Sequence, residues 1–367
     1  MSQSFRVGHC HTPSMRARPF QVTAFLLALA PMLFLVRTVI AQDNQSQPAP
    51  YENWQNSLLA DHRLVGIIWS VKDGQAISPE KLIDRLSIDR LLLLGEIHDN
   101  ADHHRLQAWV ISQLTARHFK PAIVMEQIRA DQAGVLKLFM SGKFKTAERM
   151  GPAIGWEKSG WPKWPNYQPI AEAALAAGLN IYSGDTSRTM NRKVGKQGFK
   201  ALAPGEVENL GLNHSLGRKL DEALAVELVA SHCNMMPKNM MGPMALVQRY
   251  RDAHLANAMS IAAQTNESVI LIAGNGHVRT DRAVPWYLRG QQVKSTSLMI
   301  VETHKGAQSV LDLIPHDPED KATADYIWVT PRTQREDPCA KLIKRFGGKH
   351  GQKGHGKKGR MHGNKAE

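Results

Sequence analysis

Four predicted strands end in residues whose side chains can bind a metal ion or move a proton. The apolar run LLLL leads into Gly95-Glu96-Ile97-His98, AIVM leads into Glu126, NIY leads toward Asp185, and VILIA leads into Gly274-Asn275-Gly276-His277. In a parallel α/β fold, ligands bind beyond the carboxyl ends of the strands. We therefore expect the acidic and imidazole side chains of these four junctions to meet at one edge of a sheet.

Two imidazoles together with carboxylates form a ligand set that suits zinc or another divalent first-row metal ion. Glu96 and Glu126 are also candidate catalytic residues, because a carboxylate beside a metal-bound water can act as its general base. Each histidine follows a glycine by three residues, and glycine permits the sharp turn that such a position needs. The predicted metal ligands are His98, His277, Glu126, Glu96, His103 and Asp185. The alternative is that the histidines are hydrogen-bonded loop residues.

His103 lies in the first turn of a predicted helix over residues 101–118. It shares a helix face with Leu106 and Val110, so we expect it to point inward toward the site. A surface position explains the neighbouring His104 equally well.

Two clusters are candidates for the wall of an apolar pocket. Trp161, Trp164 and Tyr167 lie in an irregular, proline-containing segment and suit a flat ligand, with Tyr167 as a candidate oxygen ligand to haem iron. Met235 and Met236 begin a run of methionines, which form an adaptable lining for such a pocket. The alternative for both clusters is ordinary core packing.

The elements that must position these residues alternate along the chain. Predicted strands cover residues 65–71, 90–94, 122–125, 180–182, 268–273, 297–301, 309–313 and 326–329. Helices are predicted to begin at Ser78-Pro79 and to cover residues 101–118, 168–177, 215–231 and 243–263. This alternation predicts an α/β fold with a mainly parallel sheet and helices on both faces. Helical insertions at about 127–168 and 186–264 are expected to form a lid over the C-terminal ends of the strands.

The net charge of +13 is concentrated at the two ends of the chain. Residues 1–41 carry +4 and residues 341–367 carry +8, which leaves +1 for residues 42–340. A nucleic-acid-binding domain needs a basic surface for the phosphates. The nearly neutral body therefore argues against nucleic acid as a partner.

The N-terminal segment predicts export. A basic stretch precedes an apolar run over residues 22–36 and a small-residue site at Ala41, which is the pattern of a cleavable signal peptide. The expected organisation is a signal peptide over residues 1–41, a linker over 42–60, an α/β domain over 61–340 and a disordered basic Gly/His/Lys-rich tail over 341–367. No cysteine stands directly after the apolar run to accept a lipid, so we expect an exported, periplasmic protein. An uncleaved membrane anchor is the alternative, and the tail is either a solvated appendage or a collector of metal ions or haem.

Removal of a signal peptide would leave two cysteines, Cys233 and Cys339. An oxidising compartment favours a disulfide between them. The disulfide would close a loop of 106 positions. In the chain-entropy treatment, closing a loop of that length stabilises the fold by roughly 4–5 kcal/mol. Two free, buried thiols are the alternative.

The sequence resembles the ChaN-like haem-binding uptake family of the Tiki superfamily over roughly residues 62–340. The runs LLLLGEIHDNADHHRLQ, VMEQ, WEKSGWPKWPNYQP, ASHCNMMP, QRYRDAHLANAM, LIAGNGHVRTDRAVPWYL and DYIWVTPRTQREDPC carry the resemblance, and GEIH and GNGH are its most specific parts. It implies an α/β fold and an exported protein that handles haem or iron. It also implies kinship with Tiki-type metalloproteases and erythromycin-esterase-like hydrolases, whose sites use equivalents of Glu96, His98, Glu126 and His277.

Two functions therefore remain open. The first is a haem- or iron-binding protein of an uptake system, with haem or iron as cofactor and membrane-side uptake components as further candidate partners. The second is a hydrolase that depends on a divalent metal ion such as zinc. The residues by themselves favour the hydrolase, whereas the resemblance favours haem binding, and the oligomeric state stays open.

Overall fold

The computed structural model describes residues 49–235, 241–337 and 339–340. The strands are β1 (Ile68–Ser70), β2 (Gln75–Ile77), β3 (Leu91–Glu96), β4 (Pro121–Arg129), β5 (Ile181–Asp185), β6 (Ser268–Gly274), β7 (Thr296–Glu302) and β8 (Tyr326–Thr330). The helices are α1 (Pro79–Leu86), α2 (Ala101–Ala116), α3 (Ala133–Ser141), α4 (Ala147–Ala153), α5 (Trp164–Ala176), α6 (Arg188–Gln197), α7 (Pro204–Asn209), α8 (Arg218–Ser231), α9 (Met241–Ala262) and α10 (Val284–Gly290).

The strands form one eight-stranded sheet in the order β2-β1-β8-β7-β3-β6-β4-β5. All pairs from β8 to β5 are parallel, and only β1 pairs with its neighbours in antiparallel orientation. The continuous apolar runs of β3 and β6 are completely buried, as expected for strands covered on both faces. The predicted α/β fold with a mainly parallel sheet is confirmed.

Helices cover both faces of this sheet. On one face, α1, α2 and α5 pack against alternate strand residues such as Leu92 and Leu94. On the other face, α9 and α10 pack against the intervening residues, Leu91 and Leu93. Because side chains alternate across a strand, each apolar strand contributes to both cores.

The structure differs from the expected strands at the edges of the fold. Residues 309–313 form a turn with a short 3-10 helix, because the Asp312 carboxylate accepts hydrogen bonds from the backbone N–H groups of Gln308 and Ser309. Such local side-chain bonds compete with strand pairing. The strand expected over 65–71 is shortened to β1, and the exposed strand β2 was not predicted because it is short and lacks an apolar pattern.

The described part of the expected linker packs on the domain. Tyr51 and Trp54 lie against the core, and the buried Asp102 carboxylate accepts the backbone N–H groups of Gln55 and Asn56. Residues 49–60 therefore belong to the folded body, held by an acidic residue of α2 that sequence composition does not reveal. The predicted signal peptide, residues 42–48, Met236 and the predicted tail lie outside the described residues.

The predicted disulfide is present. Cys233, just beyond α8, is bonded to Cys339, and their Cα atoms lie 5.5 Å apart. This bond connects the segment after α8 to the segment that follows β8.

No helix in the described ranges is both long enough and apolar enough to cross a membrane.

Candidate functional site

The C-terminal ends of three neighbouring strands form the floor of a pocket. Glu96 ends β3, Gly274 ends β6 directly beside it in register, and Glu126 lies in β4 on the other side of β6. The pocket has a volume of about 390 Å³, within the range of small-molecule sites. Its walls come from the loops after these strands and from α8 and α9. The lining residues are Glu96, His98, Glu126, Trp161, Leu224, Glu227, Leu228, Ser231, Gln248, Arg251, Asp252, Gly274, Asn275, Gly276, His277 and Arg282.

The Glu96 cluster comprises one buried carboxylate and the groups that bind it. Its members are Glu96, His98, His104, Gln127 and Tyr167. Glu96 Oε1 accepts hydrogen bonds from Gln127 Nε2 at 2.6 Å and from the Tyr167 hydroxyl at 2.9 Å. The same oxygen lies 2.9 Å from His98 Nδ1, and His104 Nε2 contacts the other oxygen, Oε2.

His98 is the member of this cluster that faces the pocket. Its side chain is 38% exposed, whereas those of Glu96 and His104 are completely buried. With Nδ1 bonded to Glu96, Nε2 has no hydrogen-bond partner in the part of the chain that the structure describes. The Trp161 ring lies 4.7 Å from the His98 ring in an edge-on arrangement and covers one side of the imidazole.

The electrostatics of the Glu96 cluster favour an ionised carboxylate. Burial alone would raise the pKa of Glu96, but the charge and hydrogen bonds of His104 and His98 outweigh it and hold the pKa well below its usual range. Burial alone would lower the pKa of His98, but the bond to Glu96 and the charge of Glu126 outweigh it and raise the pKa. Burial and the Glu96 charge raise the pKa of Tyr167 far above its usual value, so its hydroxyl stays a proton donor.

The Glu126 cluster comprises a second buried carboxylate, and it is built differently. Its members are Glu126, Asp185, Arg251, Asp252 and His277. Glu126 Oε1 accepts from Arg251 Nη2 at 2.7 Å and lies 3.2 Å from His277 Nε2, and Oε2 accepts from the backbone N–H of Gly274 at 2.7 Å. The other ring nitrogen of His277 lies 2.6 Å from Asp252 Oδ1. Arg251 also binds both oxygens of Asp185.

This second cluster holds its charges in fixed pairs. Burial alone would raise the pKa of Glu126, but His277 and Arg251 lower it well below the usual value. Burial alone would lower the pKa of His277, but the charges of Glu126 and Asp252 raise it to about 10. Both imidazole nitrogens of His277 are therefore engaged by carboxylates, and the protonated ring bridges them.

Two glycines leave the space that the site requires. A Cβ atom on Gly274 would lie 2.8 Å from His98 Nε2 and 3.6 Å from Glu126 Oε2. A Cβ atom on Gly95 would overlap the Asn275 side chain, whose amide donates to the Ile300 carbonyl. Any side chain at either position would displace a residue of the pocket. The two glycines that precede the histidines therefore allow Asn275 and His98 to pack directly against the ends of β3 and β6.

The predicted metal site is not present in the described residues, which contain no group of three or more His, Cys, Asp or Glu side chains able to hold a metal ion. His98, His277, Glu96 and Glu126 do come together, as predicted. However, both oxygens of Glu126 are engaged by Arg251 and Gly274, and a guanidinium at that distance repels a second cation. The donor atoms bind one another instead of converging on a common point.

His103 and Asp185 are also not pocket ligands. His103 is completely buried, and its ring nitrogens bond the Ile97 backbone N–H and the Thr330 hydroxyl. Asp185 is bound by Arg251. His103 does point inward, but the first turn of α2 aims it at β8 rather than into the pocket.

Of the described aromatic residues and methionines predicted to form pocket walls, the structure places only Trp161 at the pocket. Trp161 lines the pocket and donates its ring N–H to the Gln127 carbonyl at 3.0 Å. Trp164 is a core residue that bonds the Ala147 carbonyl, and Tyr167 is completely buried behind Glu96, so it does not face a ligand. These two aromatic residues pack inward because Pro165 lies in the first turn of α5 and starts the helix rather than breaking it. Met235 is exposed away from the pocket lining, and Met236 lies outside the described residues.

Three important residues were missed by sequence reasoning: His104, Arg251 and Asp252. His104 is completely buried rather than a surface residue. Arg251 and Asp252 lie in α9, whose apolar stripe indicates only core packing. The available signal was the spacing of Gln248, Arg251 and Asp252, which places three polar residues on one face of a long helix.

The fold and the pocket at the strand ends define an α/β domain with a candidate ligand site, and the comparisons with known proteins identify its family. The model of the family described as "Haem-binding uptake, Tiki superfamily, ChaN" matches residues 82–288. This range is more than half of the chain, so the protein belongs to that family. A search of the curated proteins finds no match to the sequence.

Among solved structures, one that describes cofacial heme binding to ChaN of Campylobacter jejuni is similar to this chain with a TM-score of 0.56. The two sequences are 17% identical, and the match covers 71% of this chain and 95% of that chain. This similarity establishes a shared fold.

Two further structures are less similar. The type III effector HopBA1 has a TM-score of 0.38 and 12% identity, over 69% of this chain and 92% of its own. An erythromycin esterase EreC variant in its open conformation has a TM-score of 0.34 and 16% identity, over 73% of this chain and 83% of its own. At these TM-scores neither likeness carries an argument about the site.

Proposed function

We propose that this protein is an exported haem-binding protein that takes part in haem or iron uptake, and that His98 binds the iron. The observation that carries the proposal is the orientation of His98. Its Nδ1 is bonded to the buried Glu96 carboxylate, its ring lines the pocket beside Gly274, and its Nε2 has no hydrogen-bond partner among the described residues. Metal-binding histidines are commonly held in this way by a carboxylate behind the ring.

The chemistry of the pocket fits the iron of haem at this position. Imidazole is a common axial ligand of haem iron. The absence of a side chain at Gly274 lets the His98 ring pack directly against the end of β6. Trp161, Leu224 and Leu228 supply aromatic and apolar surface to the same pocket. Haem, when bound, would supply a redox-active iron.

In this proposal the protein residues bind and orient the ligand. His98 binds through Nε2, and Glu96 fixes the ring by accepting the proton on Nδ1. Tyr167 and Gln127 in turn hold the carboxylate from the buried side. In this proposal Tyr167 is therefore a positioning residue, and not the iron ligand that was expected from the sequence.

Export and a periplasmic location are the second part of the proposal. The basic stretch and apolar run of residues 1–41 support it. The bond between Cys233 and Cys339 also supports it, because disulfides persist in oxidising compartments. Membrane-side components of an uptake system are the expected partners. Fractionation of cells with and without residues 1–41 tests this part.

Haemin titration of the full chain tests the first part. We expect a Soret shift that is lost in His98→Ala, because no other imidazole of the described residues lines the pocket with an unengaged nitrogen. His304→Ala, which removes an exposed histidine elsewhere, is the matched control and should behave like the wild type. Tyr167→Phe should keep the shift, because the hydroxyl faces Glu96. Equal haemin spectra and affinities for His98→Ala and His304→Ala would refute the assignment of His98.

A hydrolase is the second candidate, because the same pair supplies a general base. An imidazole whose Nδ1 is bonded to a buried carboxylate can take a proton from water at Nε2, as in hydrolytic triads. Arg251 and the Gly274 backbone N–H engage the two oxygens of Glu126, which are therefore not available to a metal ion. The candidate base His98 would thus act without a metal ion, whereas the sequence led us to expect a metal-dependent reaction. Hydrolysis of p-nitrophenyl acetate in the presence of a chelator, lost in His98→Ala, would support this candidate. No hydrolysis alongside stoichiometric haemin binding would exclude it for this ester.

A further inference from the structure

A basic and apolar surface lies on the helical insertion between β4 and β5, away from the pocket residues. Val135 and Leu138 of α3 and Phe144 of the following loop are 41%, 73% and 81% exposed. With Lys143, Lys145 and Arg149 they line a shallow groove of about 350 Å³. We call these six residues the α3–α4 patch. Large apolar side chains that share one exposed surface commonly mark an interaction site.

The patch is held in place by the fold. Leu136, Ala147 and Met150, on the opposite sides of α3 and α4, are buried in the core. Lys145 Nζ donates to the Met140 carbonyl at 3.0 Å, and Arg149 Nη1 donates to the Phe144 carbonyl at 3.3 Å. The exposed side chains therefore belong to the outer face of a packed helical pair.

The charges of the patch all have one sign. Lys143, Lys145 and Arg149 line the groove, and its lining contains no acidic side chain. Phe144 stands between two lysines in the sequence Lys143-Phe144-Lys145. Apolar side chains flanked by cations are the combination that binds at the interface of an anionic lipid bilayer, where the apolar groups enter the acyl boundary and the cations contact phosphates.

We propose that the α3–α4 patch binds the surface of a membrane that contains anionic phospholipids. A second copy of the chain is a poorer occupant, because a symmetric pairing would bring the same cations opposite one another. The proposal is independent of haem binding, since no patch residue lines the pocket.

The test is binding of the full chain to vesicles of phosphatidylglycerol and phosphatidylcholine, compared with phosphatidylcholine alone. Leu138→Ser/Phe144→Ser should weaken binding to the anionic vesicles at least about tenfold, because each substitution removes apolar surface that the membrane would otherwise bury. Ile88→Ser is the matched control, since Ile88 is 82% exposed outside the patch. Lys143→Gln/Lys145→Gln should weaken binding by about fivefold per charge, and Lys120→Gln/Lys305→Gln should not.

Vesicle contacts made by other segments of the full chain would be the same in all variants. Hydrogen exchange locates the contact independently of those segments, because it reports on each segment separately. We expect protection of residues 138–149 on addition of anionic vesicles, and no protection with phosphatidylcholine alone. Exchange in residues 138–149 that anionic vesicles leave unchanged would overturn the proposal. So would protection that rises with protein concentration alone, because that result would identify a second copy as the occupant.

Discussion

The Glu96 and Glu126 clusters each surround a buried glutamate at the same edge of the sheet, but their charges are compensated differently. Glu126 is paired with the guanidinium of Arg251 and with His277, whose two nitrogens both face carboxylates. Glu96 is bound by two imidazoles, an amide and a phenol, and one of those imidazoles also faces the pocket. The first arrangement is complete in itself, whereas the second leaves one nitrogen for a ligand.

This difference indicates how one strand edge can serve both stability and binding. A buried ion pair resists loss of either partner, because the remaining charge is left without compensation. A carboxylate that supports an exposed imidazole instead transmits its effect to whatever that imidazole binds. We therefore expect changes in the Glu126 cluster to act chiefly on stability and changes in the Glu96 cluster chiefly on ligand affinity.

Removal of Arg251 should have the largest effect. Arg251→Met leaves Glu126 and Asp185 buried without their shared cation, so the free energy of unfolding should fall by about 3–5 kcal/mol. Denaturant titration followed by circular dichroism measures the change. Arg218→Met breaks an exposed pair with Glu222 and should cost less than about 1 kcal/mol. Equal losses of unfolding free energy in the two variants would contradict a stabilising role for the buried ion pairs of the Glu126 cluster.

The pH dependence of stability should report the same cluster. The pKa of His277 is raised to about 10, so its protonated form stabilises the fold fully below its unfolded pKa of about 6.5. That contribution is lost as the pH rises from 6.5 through 10. Wild-type stability should therefore fall by a few kcal/mol over this window relative to His277→Asn. Parallel stability curves for the two proteins would show that His277 is not held in the charged form.

Glu96→Gln should act mainly on haem affinity. The amide cannot accept the Nδ1 proton of His98 with the strength of a carboxylate, so we expect affinity to fall about 10- to 100-fold. Haemin titration measures it, with circular dichroism to verify folding. Glu126→Gln should lose less affinity and more stability. A larger loss of haem affinity in Glu126→Gln than in Glu96→Gln, with a smaller loss of stability, would contradict the distinction between the clusters.

Trp161→Phe should produce the smallest change. Phenylalanine keeps an aromatic ring beside His98 but loses the hydrogen bond from the indole N–H to the Gln127 carbonyl. Such a bond contributes about 1 kcal/mol, so stability should fall by about that amount. Haemin affinity should change less than in Glu96→Gln. A larger loss of affinity than in Glu96→Gln would place Trp161, rather than the carboxylate, in the leading role.

The sequence predicted the fold where strands are continuous apolar runs. The apolar runs of β3, β4 and β6 change abruptly to polar residues at Glu96, at Glu126 and after Gly274, although β4 continues beyond Glu126 to Arg129. Glu96, His98, Glu126 and His277, which were singled out from these changes, line the same pocket. Strand β2 and the turn at 309–313 were not predicted, because exposed edges and side-chain-to-backbone turns leave no apolar periodicity.

The partners of the site residues were harder to predict than the residues themselves. Arg251 and Asp252 reach the pocket because α9 crosses the strand ends, and a helical pattern does not specify that crossing. Tyr167 has the chemistry of an iron ligand, but the packing of α5 turns its hydroxyl toward Glu96. Whether two donors share a metal ion or bind each other depends on distances that only the assembled fold sets.

The strand order also determines when the pocket can form. Strand β6 lies between β3 and β4 in the sheet but follows both in the chain, so the bond from Gly274 to Glu126 spans 148 residues. Contacts between residues so distant in sequence form slowly, because a long loop must close first. A chain that has not yet inserted β6 lacks the bonds from Gly274 and His277 to Glu126, so the Glu126 cluster is incomplete. Ligand binding would thus select the completely folded protein and shift the folding equilibrium toward it.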